Sequence, residues 1–158
     1  MDENNGQQNA QNNGQVVDWN EYFETHREKW SNIVKGLAVR TKELSEIIAL
    51  QPDLYAKRQD AVDYYYTMLN QLSWQKDIYT KARAAEYNKL KTSAQIRYTT
   101  DAAINAQVDE NLADMIYFVT MLGNHVNYMK DIVKQLDGLE FVINRRIDLQ
   151  KLIDGVKK

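Results

Sequence analysis

The chain has 158 residues, about one domain's worth, with 44% hydrophobic and 27% charged residues and a net charge of −2. A balance so near neutrality points to no partner, so only the local distribution of charge can. The absence of cysteine excludes a disulfide framework, a thiolate nucleophile and a Cys-ligated zinc site, and one proline with six glycines gives little punctuation for a β-rich fold.

The first residues, MDENNGQQNA, lack the basic and apolar regions of a signal peptide, and no run approaches ~18 apolar residues. A cytoplasmic protein with no membrane role is expected. Residues 1–15 are mostly Asn, Gln and Gly with no aromatic or branched aliphatic side chain, a composition that predicts a disordered tail ahead of one helical domain over 16–158.

Asp18-Trp19-Asn20-Glu21 resembles a capping box, so Asp18 should open the first helix. Trp19, Phe23, His26, Trp30, Ile33, Leu37, Leu44 and Ile48 then recur at threes and fours, with a slip around Thr41. Pro52 should end this helix, because a residue before proline is pushed out of the α region, and should sit in the first turn of the next. The second helix is predicted from about Asp53 to about Lys91, with Val62, Tyr65, Leu69, Leu72, Tyr79 and Ala82 as its seam. In the run Tyr64-Tyr65-Tyr66, Tyr65 is the residue expected in the core.

The stretch from Tyr79 to Tyr98 is basic: Lys81, Arg83, Lys89, Lys91 and Arg97 outnumber Glu86, and Tyr79, Tyr87 and Tyr98 interleave. Cations meet phosphates and release counterions, and aromatic faces offer platforms for unpaired bases. The same pattern also occurs on solvated helix surfaces.

Asp101 to Leu136 reads as one long helix capped by Thr100. Met115, Val119, Leu122, Val126, Met129, Val133 and Leu136 are spaced 4, 3, 4, 3, 4, 3, an a/d seam that must pack on another helix. Such a helix would be ~54 Å long, against a diameter near ~40 Å for a compact chain of this size. It predicts an elongated subunit or one that completes its core with copies of itself. Asp137-Gly138 should break or kink it, and a last segment, Leu139 to Ile153, carries Phe141, Ile143, Ile147 and Leu152 before Gly155 closes the chain. The fold class is all-α: three to four long amphipathic helices in an elongated, coiled-coil-like hairpin.

Little here carries chemistry. His26 and His125 belong to no helical metal-ligand pattern and read as structural. Glu110 and Asp114, at i and i+4, could share a cation, but the bland alternative is an acidic first turn favoured by the helix dipole. No phosphate loop or nucleophile elbow is present, so no enzyme, cofactor or metal is expected.

From Tyr79 to Gly155 the chain resembles the UvsY-like recombination mediators of tailed bacteriophages. Lys81-Ala82-Arg83 followed by Tyr87 is similar to the family's basic "LKARL…YY" helix. Tyr98-Thr99-Thr100-Asp101, leading into the acidic start Val108 to Asn111, resembles its central helix. Phe141-x-Ile143-x-x-x-Ile147-Asp148-x-x-Lys151-Leu152-x-x-Gly155 resembles its C-terminal F-x-I-x-x-x-I-E-x-x-K-F-x-x-G signature. Thr80 and Ala84 stand where leucines flank the family's basic pair, and Asn88 where a second tyrosine is frequent.

The resemblance implies a homo-oligomeric ring in the host cytoplasm. It would bind single-stranded DNA, help displace the single-strand-binding protein and load a RecA-like recombinase. Lys81, Arg83, Tyr87, Lys89, Lys91, Arg97 and Tyr98 would then contact DNA. Met115, Val119, Leu122, Val126, Met129, Val133 and Leu136, with Phe141, Ile143, Ile147 and Leu152, would hold protomers together. The competing expectation is a non-enzymatic structural or adaptor protein, such as a phage scaffold or assembly factor, with no nucleic-acid role.

Overall fold

The computed structural model describes residues 18–42, 46–93 and 100–156. It is all-α, in the order α1 (Trp19–Arg40), α2 (Ile47–Thr92), α3 (Asp101–Asn111) and α4 (Ala113–Val156), with no strand among the described residues. The Asn/Gln-rich stretch 1–15, Leu44, Arg97 and Tyr98 lie outside the described residues.

Both predicted caps form. The Asp18 carboxylate accepts from the backbone N–H groups of Asn20 and Glu21, and the Thr100 hydroxyl accepts from that of Ala103. Each satisfies donors that the first turn of a helix leaves without a partner.

Three boundaries differ from the expectation. The first helix ends at Arg40, not at Pro52, at the slip in the hydrophobic pattern around Thr41. There the Thr41 N–H returns to the Leu37 carbonyl, its hydroxyl donates to the Ala38 carbonyl, and its own carbonyl accepts from Arg146. Pro52 instead lies inside α2, whose first turns are held down by burial of Ile47, Leu50 and Leu54. Those side chains outweigh the hydrogen bond that proline cannot make. Asp137-Gly138 does not end a helix: α4 runs through it, because Leu136 and Ile143 on either side are buried in the core and an interior glycine costs only ~1 kcal/mol. The break falls earlier, at Leu112 (φ −109°, ψ 16°), where the chain turns from α3 into α4.

At ~1.5 Å per residue, α2 is about 69 Å and α4 about 66 Å long. They run antiparallel, since Gln51 meets Asn144, Arg58 meets Asp137 and Tyr64 meets His125. The first helix runs alongside the pair, parallel to α4 and packed mainly on it, since Asn20 meets Tyr117, Arg27 meets Tyr128 and Thr41 meets Arg146. One apolar cluster joins Trp30, Val34 and Leu37 of α1 to Leu50, Leu54 and Ala61 of α2 and to Met129, Ile132, Leu136 and Ile143 of α4. A second gathers Phe23, Leu72, Met121, Leu122 and Val126.

The predicted seam therefore finds its partner within the chain. Leu122, Val126, Met129 and Leu136 are buried among α1 and α2, with Val119 and Val133 packed beside them, and Ile143 and Ile147 continue the same core. Side chains so enclosed cannot also face a second protomer. Of the residues expected to join protomers, only Phe141 (65% exposed) and Leu152 (66%) stand open to solvent, and Met115 is half-buried.

The layer between the two clusters is polar and aromatic. His125 is fully buried and hydrogen-bonded through Nε2 to the Tyr64 hydroxyl at 3.1 Å. His26 stacks on Tyr64, and the Tyr128 hydroxyl donates to the Arg27 carbonyl. Burial, then the charges of Arg27 and His26, holds the pKa of the His125 imidazole down to about 4. Both histidines thus knit α1 onto α2 and α4, the structural role expected of them. Tyr64 and Tyr65 both pack against the core, while Tyr66 faces solvent.

Candidate nucleic-acid interface

Beyond the α1–α4 body, the last turns of α2 project as a tip covered on one side by α3. Periodicity divides the basic residues of this tip. Tyr79, Arg83, Tyr87 and Lys91 follow one another at i, i+4 and form a single stripe along α2. Lys81 and Lys89 lie on other sides of the helix, roughly 160° and 120° from Arg83 at ~100° per residue.

The stripe faces α3. Arg83 Nη2 donates to Asn105 Oδ1 at 3.3 Å, and both Nε and Nη2 reach the same Asp109 oxygen at 3.3 Å. The Tyr87 hydroxyl donates to Asp101 at 2.9 Å. The Lys91 ammonium sits 5.3 Å from the centre of the Tyr87 ring and 3.9 Å from Asp101. Its hydrogen bond to the Tyr87 hydroxyl, helped by the Asp101 charge, raises the Lys91 pKa. On the open sides, Lys81 (76% exposed) pairs with Asp77 and Lys89 (74%) with Glu86, both within α2. Glu86 also accepts from Asn111, and that bond, with Lys89, lowers its pKa.

Of the residues expected to contact DNA, Arg83, Tyr87 and Lys91 are thus brought together, Lys81 and Lys89 flank them, and Arg97 and Tyr98 are outside the described residues. An open cleft runs between Tyr79, Arg83 and Tyr87 on one wall and Asp101 and Asn105 on the other. Asp101, Asn105 and Asp109 are the parts of this surface that sequence reasoning missed. Their signal was the acidic start of the 101–111 stretch, which reads as a dipole effect until the stripe it faces is known.

A second concavity, of about 680 Å³, opens beside the Leu112 break between Trp19, Tyr22 and Phe118. It carries Asp114 and no cation in its lining, so it does not suit a phosphate. Glu110, the other half of the candidate acidic pair, accepts from Gln107 instead. Among the described residues no group of three or more His, Asp or Glu is placed to hold a metal, and no helix is long and apolar enough to cross a membrane.

No family model matches the chain, and neither a characterised protein nor a solved structure matches it.

Proposed function

We propose that this chain is a non-enzymatic recombination mediator. It binds single-stranded DNA at the α2 tip, assembles with copies of itself, and helps load a RecA-like recombinase onto DNA coated by single-strand-binding protein. The observation that supports the DNA role is the state of the tip cations. Lys81, Arg83, Lys89 and Lys91 are solvent-accessible, are interleaved with Tyr79 and Tyr87, and are engaged in surface ion pairs, Arg83 also with the Asn105 amide and Lys91 with the Tyr87 hydroxyl. Such pairs contribute ~0–1 kcal/mol each. A phosphate oxygen satisfies the same donors, and release of counterions from the strand adds a driving force that a carboxylate lacks.

One tip offers few phosphate-binding groups and would bind weakly. Several tips carried on one oligomer raise the affinity by multivalency without any new interaction. Phe141 and Leu152, with Val142, Leu149 and Ile153 also exposed on the same helix, are apolar side chains available for that assembly. The recombinase and single-strand-binding protein as partners rest on the Tyr79–Gly155 resemblance alone.

Fluorescence anisotropy of a labelled single-stranded oligonucleotide tests the reading. Salt-sensitive binding with little sequence preference, favouring single strands over duplex, is expected. The Lys81→Glu/Arg83→Glu pair should weaken binding and flatten the salt slope by up to about 1.4, at ~0.7 for each phosphate no longer neutralised. No binding by the wild-type protein at low salt removes the DNA role. The structural or adaptor reading is favoured by one observation, that each described cation of the stretch already has a carboxylate partner. Light scattering that shows a stable oligomer indifferent to oligonucleotide would establish it.

A further inference from the structure

The tip cations fall into two classes. Lys81 and Lys89 pair with acids of their own helix, as exposed helical residues commonly do. Arg83 and Lys91, together with the Tyr87 hydroxyl, are taken up by a different element, α3. That element carries Asp101, Asp109 and Glu110 and no Lys or Arg, and the next cation along the chain is Lys130. It lays two carboxylates, with the Asn105 amide between them and no cation, on the cationic, tyrosine-bearing stripe, negative groups of the kind a nucleic-acid strand would present.

The ion pairs are also loose in a particular way. Arg83 directs two donors at one Asp109 oxygen, both at 3.3 Å, instead of forming the parallel two-oxygen fork that makes Arg–carboxylate pairs strong. Lys91 lies 3.9 Å from Asp101, at the edge of an ion pair. The helix itself is anchored otherwise, by burial of Ile104 and Val108. Exchange of its carboxylates for phosphates therefore requires side chains to swing and leaves the fold standing.

We propose that α3 is a built-in acidic competitor: Asp101 and Asp109 occupy the positions on α2 that strand phosphates would take, and so set the affinity and salt dependence of DNA binding. This rests on the DNA-binding reading above. The competition lowers the contribution of Arg83 and Lys91 to the phosphate count of a single tip, because a phosphate taken up there must displace a carboxylate.

The test compares wild-type protein with Asp101→Asn/Asp109→Asn and with Glu24→Gln/Glu28→Gln. The second pair makes the same change in net charge on exposed positions of α1. Binding of a labelled single-stranded oligonucleotide is measured across a salt series. The α3 pair should bind several-fold more tightly at low salt, with a slope steeper by up to about 1.4, reflecting two more phosphates at ~0.7 each. Asp109→Asn alone should give about half that change, and the α1 pair close to none. Equal gains in both pairs would make the effect bulk charge and overturn the proposal, as would wild-type binding that neither pair alters. Absence of binding by all the proteins would instead overturn the DNA reading itself, and this inference with it.

Discussion

The body and the tip of this molecule are held by different physics. In the body, α1, α2 and α4 meet through two apolar clusters and one buried polar layer, and most of the side chains that matter are enclosed. At the tip, α3 lies on α2 through exposed carboxylates, amides and cations, with only Ile104 and Val108 fully withdrawn from water. Burial of apolar area is strong, directionless and hard to exchange; surface ion pairs are weak and easily replaced by other ions. The contrast separates where the chain is made stable from where its charged side chains are held only weakly.

The largest effect that sharpens this contrast is a cavity in the body. Leu136 is fully buried between the helices, so Leu136→Ala should cost about 2–5 kcal/mol, read as a fall in the urea midpoint with little change in slope. A smaller effect of the body is a dependence on pH through His125. Its folded-state pKa, about 4, lies below the ordinary 6.5, so between these values the unfolded chain binds the proton more strongly. The contribution of neutral His125 is thus complete above about pH 6.5, declines as the pH falls, and is lost below about pH 4, a change of up to ~3 kcal/mol. Urea unfolding at pH 7, 6 and 5 should show that decline, and His125→Gln should flatten it over the same window. The smallest effect belongs to the tip. Arg83→Ala should lower stability by less than ~1 kcal/mol, because its partners Asn105 and Asp109 regain water, while the same change should be visible in oligonucleotide binding. A destabilisation comparable to that of Leu136→Ala would mean that the tip belongs to the same cooperative core and would erase the distinction.

How far the fold was legible follows from which interactions are local. Asp18 and Thr100 announce their helices because a cap acts two or three residues along the chain. The helical class followed from periodicity in the same way. Pro52 and Gly138 misled because their preferences are also local, worth a few kcal/mol at most, and the burial that overrides them comes from distant segments. The seam through Leu122, Val126, Met129 and Leu136 shows the limit most clearly. Its spacing states that a partner is needed and is silent on which chain provides it; the stripes of α1 and α2 do. The candidate site divides likewise. The cations of α2 stand out in the sequence, whereas the Asp109 carboxylate that reaches Arg83 is 26 residues away and becomes a neighbour only when α3 folds back.

The antiparallel pairing of α2 and α4 sets a distance. The hydrogen bond between Gln51 and Asn144 fixes the C-terminal part of α4 beside the start of α2, and from Gln51 to Arg83 the helix rises about 48 Å. That is roughly five Debye lengths at 0.1 M salt, so a charge added or removed at one end is not felt electrostatically at the other. The paired helices hold the two ends apart. Phe141 and Leu152 near one end and Arg83 and Lys91 near the other are therefore separate surfaces, and a charge placed at one leaves the field around the other unchanged.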